Sequence, residues 1–236
     1  MYAETPVHLG VLTPWVACAW VRRVPEVAGV SALIVPDGCV DLIWMDERLQ
    51  VVGPDTRPRE VALTPGTTIS GVRLRPGAAG LLTGGTPVSA LTDTQVDLTE
   101  LWGATAYQLM ELVERGPEVA RVLARALAGR VPRHAPEPLV MAAARALDQA
   151  EPPTVPSLAA DLGVAERTLR RKLVAAVGYG PKTLEQVLRF GRASRAAADG
   201  GDLARVAHDA GYADQAHLSR EIRRWSGRAT PRPERA

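Results

Sequence analysis

The chain has 236 residues, which is enough for two modest hydrophobic cores. Residues 1–130 carry 11 basic and 14 acidic side chains, whereas residues 131–236 carry 17 basic and 12 acidic ones, a division typical of a nucleic-acid binder with a separate sensing or assembly domain. Two cysteines without a Cys-x-x-Cys motif exclude a cysteine-based zinc site, and no apolar run reaches the ~18 residues needed to span a bilayer.

The first third of the chain is predicted to be rich in β-strands. Turn-forming stretches, such as Pro36-Asp37-Gly38 and Gly53-Pro54-Asp55, separate short apolar runs. The predicted strands are residues 11–20, 31–35, 40–44, 50–52 and 67–74. Short strands at regular spacing indicate a small barrel or sandwich.

Helical periodicity replaces this pattern after Pro76. We expect one helix over about 98–112 and a second over 119–127. The polar, proline-rich stretch that follows predicts a linker. The expected organisation is therefore an N-terminal domain at 1–130, a linker at 131–137 and a C-terminal domain at 138–236.

Several residues of the N-terminal half have side chains that can bind a small ligand. Aromatic side chains commonly line pockets, and an arginine inside a barrel can hold an anion. We expect Arg73 and Arg75 to share one face of a strand, although a structural salt bridge from Arg73 to Asp37 or Asp41 explains the pattern equally well. Trp15, Trp20 and Trp44 can equally be core residues. The candidate ligand-binding residues are Trp20, Asp37, Asp41, Trp44, Arg73 and Arg75.

Catalysis by this half is an alternative. Asp37 and Asp41 can act as paired carboxylates and Cys39 as a nucleophile, but Asp-Gly is also what a tight turn requires. The four histidines are scattered along the sequence, which argues against a metalloenzyme. We expect no catalytic residue, no metal and no cofactor.

The C-terminal half contains one helix-turn pattern twice, 48 residues apart. Thr154 and Asp202 are residues that cap helices, and each is followed by apolar residues at i, i+3, i+4 and i+7 spacing. Gly163 and Gly211 end the copies and permit a left-handed turn into the next helix. The pattern predicts two helix-turn-helix units, at about 154–177 and 202–226, and double-stranded DNA as the partner.

A cationic helix follows each glycine. Leu169, Leu173 and Val177 form the apolar face of the first, and Leu218, Ile222 and Trp225 that of the second. Arginine near the start of such a helix can bind the O6/N7 edge of guanine. The candidate DNA-binding residues are Glu166, Arg167, Arg170, Arg171, Gln215, Ala216, His217, Ser219, Arg220 and Arg223.

Residues 138–233 resemble the DNA-binding domain of the AraC/XylS family of transcriptional regulators. The resemblance is carried by Gly178-Tyr-Gly-Pro-Lys182, Arg189-Phe190 and residues 211–221, Gly-Tyr-Ala-Asp-Gln-Ala-His-Leu-Ser-Arg-Glu. It implies seven helices in which a long central helix, starting at Pro181 and ending at Gly200-Gly201, joins the two units. It also implies base contacts from Arg167, Arg170 and Arg171, and from Ala216 and Arg220.

The sequence departs from the family pattern at three points. Ala165 replaces a frequent capping serine, which costs helix stability of about 1 kcal/mol. Ala216 has no hydrogen-bonding group for a base. The chain stops soon after Pro231, so we expect the last helix of the family to be shortened or absent.

The N-terminal half resembles the cupin-like sensor domain that precedes AraC-type DNA-binding domains. Residues 35–44, Gly53-Pro54, residues 71–77 and residues 98–103 carry this resemblance. The expected fold is α+β, with a β-rich cupin-like barrel and following helices, then an all-α domain of two helix-turn-helix units.

The expected function is that of a cytoplasmic, sequence-specific transcriptional regulator. A small effector binds the N-terminal domain, the helices at 98–128 pair two subunits into a homodimer, and RNA polymerase is a partner in the case of activation. The residues do not decide between activator and repressor. Two alternatives stay open: an enzyme acting on a small ligand or on DNA, and a DNA-binding module without sequence preference.

Overall fold

The computed structural model describes residues 1–5, 10–116 and 118–227. Its N-terminal part contains two antiparallel sheets, one of six strands in the order β1-β2-β7-β4-β5-β8 and one formed by β3 and β6. The strands are β1 (Tyr2–Thr5), β2 (Val16–Arg23), β3 (Ser31–Ile34), β4 (Val40–Met45), β5 (Arg48–Val52), β6 (Arg59–Ala62), β7 (Thr68–Leu74) and β8 (Gln95–Asp97).

Helices follow the sheets and make up the whole C-terminal part. Two short 3₁₀ helices, Gly10–Leu12 and Val88–Leu91, lie among the strands. The α-helices are α1 (Gly80–Thr83), α2 (Leu98–Trp102), α3 (Ala104–Arg115), α4 (Val119–His134), α5 (Pro138–Leu147), α6 (Val155–Asp161), α7 (Glu166–Val177), α8 (Pro181–Ala198), α9 (Leu203–Asp209) and α10 (Gln215–Ser226). The predicted class, a β-rich N-terminal part followed by a helical C-terminal part, is confirmed.

The two faces of the large sheet differ in character. Leu42 of β4 and Val72 of β7 are partners in the sheet and are fully buried on the side that packs against the helices. One residue along, Asp41 pairs with Arg73, and their side chains emerge on the opposite side because successive side chains alternate across a strand. One face is therefore apolar core and the other carries a polar cluster.

Five elements differ from their predictions. The strand predicted at 11–20 begins only at Val16, because residues 10–12 form a 3₁₀ helix, so Trp15 precedes the strand. Strands β1, β6 and β8 were not predicted. The helix predicted over 98–112 is two helices, since Gly103 adopts a φ of +54° between them.

Most of the predicted linker is helical. Helix α4 continues to His134 with Pro132 inside it, so that only Ala135, Pro136 and Glu137 separate it from α5. The polar composition of this stretch reflects an exposed helix face. The domain boundary itself stays a prediction.

The C-terminal helices enclose a core of their own. Leu147 of α5, Leu169 of α7 and Leu184 of α8 are fully buried in it. Helix α8 begins at Pro181 and ends before Gly200, which has a φ of +87°, as predicted for the central connector. The expectation about the last helix concerns residues beyond 227, outside the described part of the chain. Within the described residues, no helix combines the length and apolarity required to cross a membrane.

Candidate functional site

The two helix-turn-helix units have the same turn geometry. In the first turn the Gly163 N–H donates to the Ala160 carbonyl and the Val164 N–H to the Ala159 carbonyl, both at 3.0 Å. In the second, Gly211 donates to His208 at 3.0 Å, and the following N–H donates to Ala207 at 2.8 Å. Both glycines have left-handed φ angles, +67° and +79°. The hydrogen bonds satisfy carbonyls at the helix end and set the angle of the second helix.

Capping side chains start three of the four helices in these units. Thr154 accepts a hydrogen bond from the Ser157 N–H at 3.3 Å, and Asp202 accepts one from the Arg205 N–H at 3.2 Å. Asp214 accepts from the His217 N–H at 2.6 Å at the start of α10. Helix α7 starts at Ala165 without a side-chain cap, as its sequence predicts. These bonds satisfy N–H groups that the first helical turn leaves free.

Helix α7 presents its arginines to solvent. Leu169 and Leu173 are fully buried, whereas Arg167, Arg170 and Arg171 are exposed. The Arg170 guanidinium donates to a Glu166 carboxylate oxygen through Nε at 2.8 Å and Nη2 at 2.6 Å. Glu166 therefore occupies one edge of the Arg170 guanidinium, while Arg171 has no ion pair within the described part of the chain.

Helix α10 presents fewer free side chains than its sequence suggests. Gln215, Ala216, Arg220 and Arg223 are exposed. His217 is half-buried and contacts the Tyr212 ring edge-on, with centroids 5.2 Å apart. The Ser219 hydroxyl donates to the Gln215 carbonyl at 2.9 Å. Two of the six candidate side chains of this helix are thus engaged by the protein itself.

Four of the six candidate ligand residues meet on the polar face of the large sheet. The Trp20 indole N–H donates to Asp41 at 2.9 Å, and Arg73 Nε lies 3.2 Å from the same carboxylate. Arg73 Nη1 lies 3.5 Å from Asp37 and 3.9 Å from Glu4. Gly71 provides the space for the indole, since a Cβ there would lie 2.6 Å from Trp20 Cε2. We call Glu4, Trp20, Asp37, Asp41 and Arg73 the ionic cluster.

Three carboxylates surround one guanidinium in the ionic cluster. Arg73 is therefore already neutralised, which disfavours an anionic ligand at this arginine. Burial raises the pKa of the Asp41 carboxyl despite the nearby guanidinium, and the Asp41 charge raises the pKa of Arg73 further above its ordinary value. The structural salt bridge considered from the sequence is present.

The other two candidate ligand residues lie elsewhere. Trp44 is on the helix-facing side of β4 and packs against the N-terminal core. Arg75 lies beyond the end of β7 and is exposed, so it does not share a strand face with Arg73. The prediction that the two arginines alternate along one strand is wrong, because the strand ends at Leu74.

Cys18 is buried and Cys39 is half-buried. Desolvation raises the pKa of Cys18 to about 12 and that of Cys39 well above its ordinary value. The Asp37 carboxylate accepts a hydrogen bond from the Cys39 N–H at 2.8 Å, which is the turn geometry expected for Asp-Gly. A thiol in this setting is a poor nucleophile.

Of two surface clefts, the second borders the ionic cluster, because Tyr2 in its lining donates a hydrogen bond to Glu4 and packs on the Trp20 ring. One, of about 300 Å³, lies between the first 3₁₀ helix and α4, and its lining includes Leu12, Arg121 and Arg125. The other, of about 210 Å³, lies beside Tyr2, Arg22 and Arg23. Neither cleft was predicted from the sequence, because each is formed by segments far apart in the chain.

Each of the two parts of the chain matches the model of a known protein family. Residues 158–232 match a family described as a helix-turn-helix domain, and residues 10–97 match a family described as a domain of unknown function. The C-terminal match agrees with the two helix-turn-helix units described above. A comparison of the sequence with curated proteins gives no match.

Several solved structures are similar in outline. A variant of apo ToxT from Vibrio cholerae strain SCE256 is 8% identical, with a TM-score of 0.49 over 89% of this chain and 94% of that one. ToxT from Vibrio cholerae O395 is 11% identical, with a TM-score of 0.46 over 89% and 94% of the two chains. These values are too low to transfer function. The helix-turn-helix domain and its geometry support a DNA-binding transcription regulator.

Proposed function

We propose that this protein is a sequence-specific regulator whose two helix-turn-helix units bind consecutive major grooves on one face of a duplex. The observation that carries the proposal is the repeated turn, which presents α7 and α10 with the same geometry from one core. Helix α8 joins the units as a continuous connector of 18 residues. Major grooves on one face of DNA are about 34 Å apart, or roughly 10 base pairs.

In this proposal α7 reads bases mainly through Arg167 and Arg171. Arg170 contacts DNA after it releases its hydrogen bonds to Glu166. Arg220 and Arg223 contact DNA from α10. Ala216, exposed near the start of α10, suits contact with a thymine methyl group. His217 and Ser219 position the helix, since their side chains contact Tyr212 and the Gln215 carbonyl.

Competition binding tests sequence preference. A regulator prefers its operator over random DNA by at least about 10³-fold at physiological salt. An operator selected from a random library by the full chain, competed against shuffled DNA of the same composition, measures this ratio. A ratio near one would favour the non-specific DNA-binding module instead.

We also propose that the N-terminal domain responds to a small effector at the ionic cluster. Its three carboxylates and one guanidinium favour a cationic or neutral hydrogen-bonding molecule over an anion. Thermal-shift screening of organic amines, neutral polar compounds and carboxylates tests this class. A stabilising amine should lose its effect in Asp37→Asn, and stabilisation by carboxylates alone would contradict the proposal.

Helix α3 is the proposed dimer surface. Tyr107 and Leu112 on α3 are 59% and 57% exposed, so this helix offers two large apolar side chains to a partner. Pairing through this helix would give two DNA-binding domains per particle, and binding by both increases affinity through effective concentration. In an activating role the assembled dimer would also contact RNA polymerase.

A further inference from the structure

The N-terminal part contacts the first helix-turn-helix unit at the turn between α7 and α8. The 3₁₀ helix Val88–Leu91 packs against α7. The Thr92 hydroxyl donates to the Gly178 carbonyl at 3.4 Å, and the neighbouring Tyr179 side chain is buried. These contacts leave Arg167 and Arg171 exposed, so the surface proposed for DNA stays open.

Gly178 is required at this turn for two reasons. Its φ is +95°, a conformation that other residues adopt at a cost. A Cβ at this position would also lie 2.7 Å from Pro54 Cγ and 2.8 Å from Thr92 Oγ1. The turn therefore ends α7 and leaves space for the N-terminal loops that contain Pro54 and Thr92.

Those loops are held by contacts within the N-terminal part. A Cβ at Gly53 would lie 1.8 Å from the Leu91 carbonyl oxygen, so the two loops touch through their backbones. Asp93, with a φ of +57°, accepts hydrogen bonds from the Thr56 N–H at 2.7 Å and its hydroxyl at 2.5 Å. The docking surface is thus organised by contacts within the N-terminal part.

A second contact comes from the Asp37-Gly38 turn. A Cβ at Gly38 would lie 3.2 Å from Leu184 Cδ1, from Pro76 Cγ and from the Tyr179 hydroxyl oxygen. The Tyr179 hydroxyl is buried and has no hydrogen-bond partner among the described residues. Burial raises its pKa well above the ordinary value, and the charge of Asp37 acts in the same direction. The ring is held here by shape, without a hydrogen bond.

The same turn is anchored to the ionic cluster. One oxygen of the Asp37 carboxylate accepts from the Cys39 N–H at 2.8 Å, and the other lies 3.5 Å from Arg73 Nη1. Arg73 in turn holds Asp41, which accepts from Trp20. A change in the partners of Arg73 would therefore act directly on the residue that precedes Gly38.

We propose that the turn at residues 36–39 couples the N-terminal domain to α7, the DNA-reading helix of the first unit. The coupling acts through the packing of Gly38 against Tyr179 and Leu184. Tyr179 is a positioning residue in this arrangement. The regulatory meaning of the coupling depends on the proposed function, but the contact itself does not. The second unit approaches the N-terminal part at its end, where a Cβ at Gly227 would lie 4.0 Å from Pro58 Cγ.

Two matched substitutions test the coupling in the full chain. Gly38→Ala and Gly66→Ala impose the same backbone strain, since the φ angles are +77° and +76°. The Gly38 Cβ would push on Tyr179 and Leu184, whereas the Gly66 Cβ would meet only the Glu26 side chain, at 3.5 Å. The two readouts are hydrogen exchange of the amides at 176–186 and protection of the selected operator.

Gly38→Ala should speed exchange at 176–186 by about tenfold and weaken protection of the groove bound by the first unit, while Gly66→Ala should match the wild type in both. Equal behaviour of the two variants would overturn the coupling. If the wild-type protein gives no footprint, the proposed function is contradicted. In that case the comparison of exchange rates still tests whether Gly38 contacts the turn after α7.

Two further variants keep the test decisive should Gly38→Ala fail to fold. Thr92→Val removes the hydroxyl that donates to Gly178 while keeping its size. Asp37→Asn keeps an acceptor for the Cys39 N–H and removes the charge facing Arg73. Both should speed exchange at 176–186, and wild-type exchange in both would overturn the proposal.

Discussion

At the residue scale, adjacent arginines on α7 differ in their surroundings. Arg171 is exposed and has no ion-pair partner among the residues that the structure describes, whereas Arg170 donates twice to Glu166. Arg171→Ala should cost operator affinity by about 1–3 kcal/mol and relax preference at one base pair. Arg170→Ala should cost less, because the wild-type side chain must first leave Glu166. Titrations against the operator and its single-base variants measure both effects.

Arg145→Ala is the control for these variants, because Arg145 is an exposed arginine of the same domain that belongs to α5 and not to α7 or α10. A loss in Arg171→Ala that is equal for all sequences and changes mainly the salt dependence would assign Arg171 to phosphate contact. A loss no larger than that of Arg145→Ala would remove Arg171 from the interface.

The thiols give a second residue-scale prediction. With a pKa of about 12, Cys18 holds about one thiolate in 10⁴ at pH 8, and its thiolate fraction rises tenfold per pH unit below that pKa. Iodoacetamide should therefore leave the folded protein unlabelled at pH 8 and label both cysteines in urea, as mass spectrometry would show. Cys39→Ser should keep operator binding, and complete loss of function in this variant would revive the enzyme alternative.

The structural roles of some residues were predicted from the sequence, whereas those of others were not. Asp37-Gly38 was predicted as a turn because that chemistry is local. The exposed arginines of α7 followed from helical periodicity. Tyr179 appeared only as part of a family motif, since its burial against Gly38 depends on contacts between residues far apart in the chain. Glu4 lies in the ionic cluster because β1 pairs with β2 and places Glu4 opposite Trp20. The sequence around Glu4 did not predict a strand.

At the element scale, the missing cap of α7 predicts a stabilising substitution. Ala165 has the extended backbone of an N-cap residue but no side-chain acceptor, whereas Asp214 provides one in the equivalent helix α10, and Thr154 provides one at the start of α6. Ala165→Ser should raise the free energy of unfolding by about 0.5–1 kcal/mol, and Thr154→Ala should lower it by a similar amount. Urea unfolding measures both changes. An unchanged midpoint in Ala165→Ser would show that solvent satisfies these N–H groups equally well.

The two turn glycines are predicted to respond unequally. Gly163→Ala meets open space and costs only the left-handed backbone strain, about 1–2 kcal/mol. Gly211→Ala has the same strain, and its Cβ would also lie 3.1 Å from the Ala150 carbonyl oxygen. Unfolding midpoints should therefore fall further for Gly211→Ala. The reverse order would mean that the second turn relaxes more easily than its contacts indicate.

Elements were predicted well where their signals were local and strong. Helices α6, α9 and α10 follow from their capping residues and apolar period, and α7 follows from its apolar period between Gly163 and Gly178. Strands β1, β6 and β8 have only three or four residues each and were missed, because runs this short show little alternation. Proline inside α4 suggested a linker, although the helix continues past it.

At the scale of the whole molecule, assembly should depend on α3. Tyr107→Glu would place a charge on the exposed apolar surface, and Val27→Glu is its control, because Val27 is also 59% exposed but lies outside the helices. Sedimentation velocity should show a dimer for the wild type and for Val27→Glu, and a monomer for Tyr107→Glu. A dimer that survives Tyr107→Glu would place the subunit contact elsewhere.

The arrangement of the two parts could not be predicted from the sequence. Composition and motifs indicated a β-rich part and a helical part, each with its own core. The contact between them depends on Gly178 fitting Pro54 and Thr92, and this fit of shapes has no periodic signature in the chain. For the same reason, four of the six predicted ligand residues meet in the structure while Trp44 and Arg75 lie apart.

Hydroxyl-radical footprinting of the selected operator tests the central claim most directly. Two reading helices joined by one connector should protect two patches on one face of the duplex, about 10 base pairs apart, for each subunit. Arg171→Ala should weaken one patch and Arg220→Ala the other. A single protected groove per subunit, or uniform protection along any DNA sequence, would contradict the account.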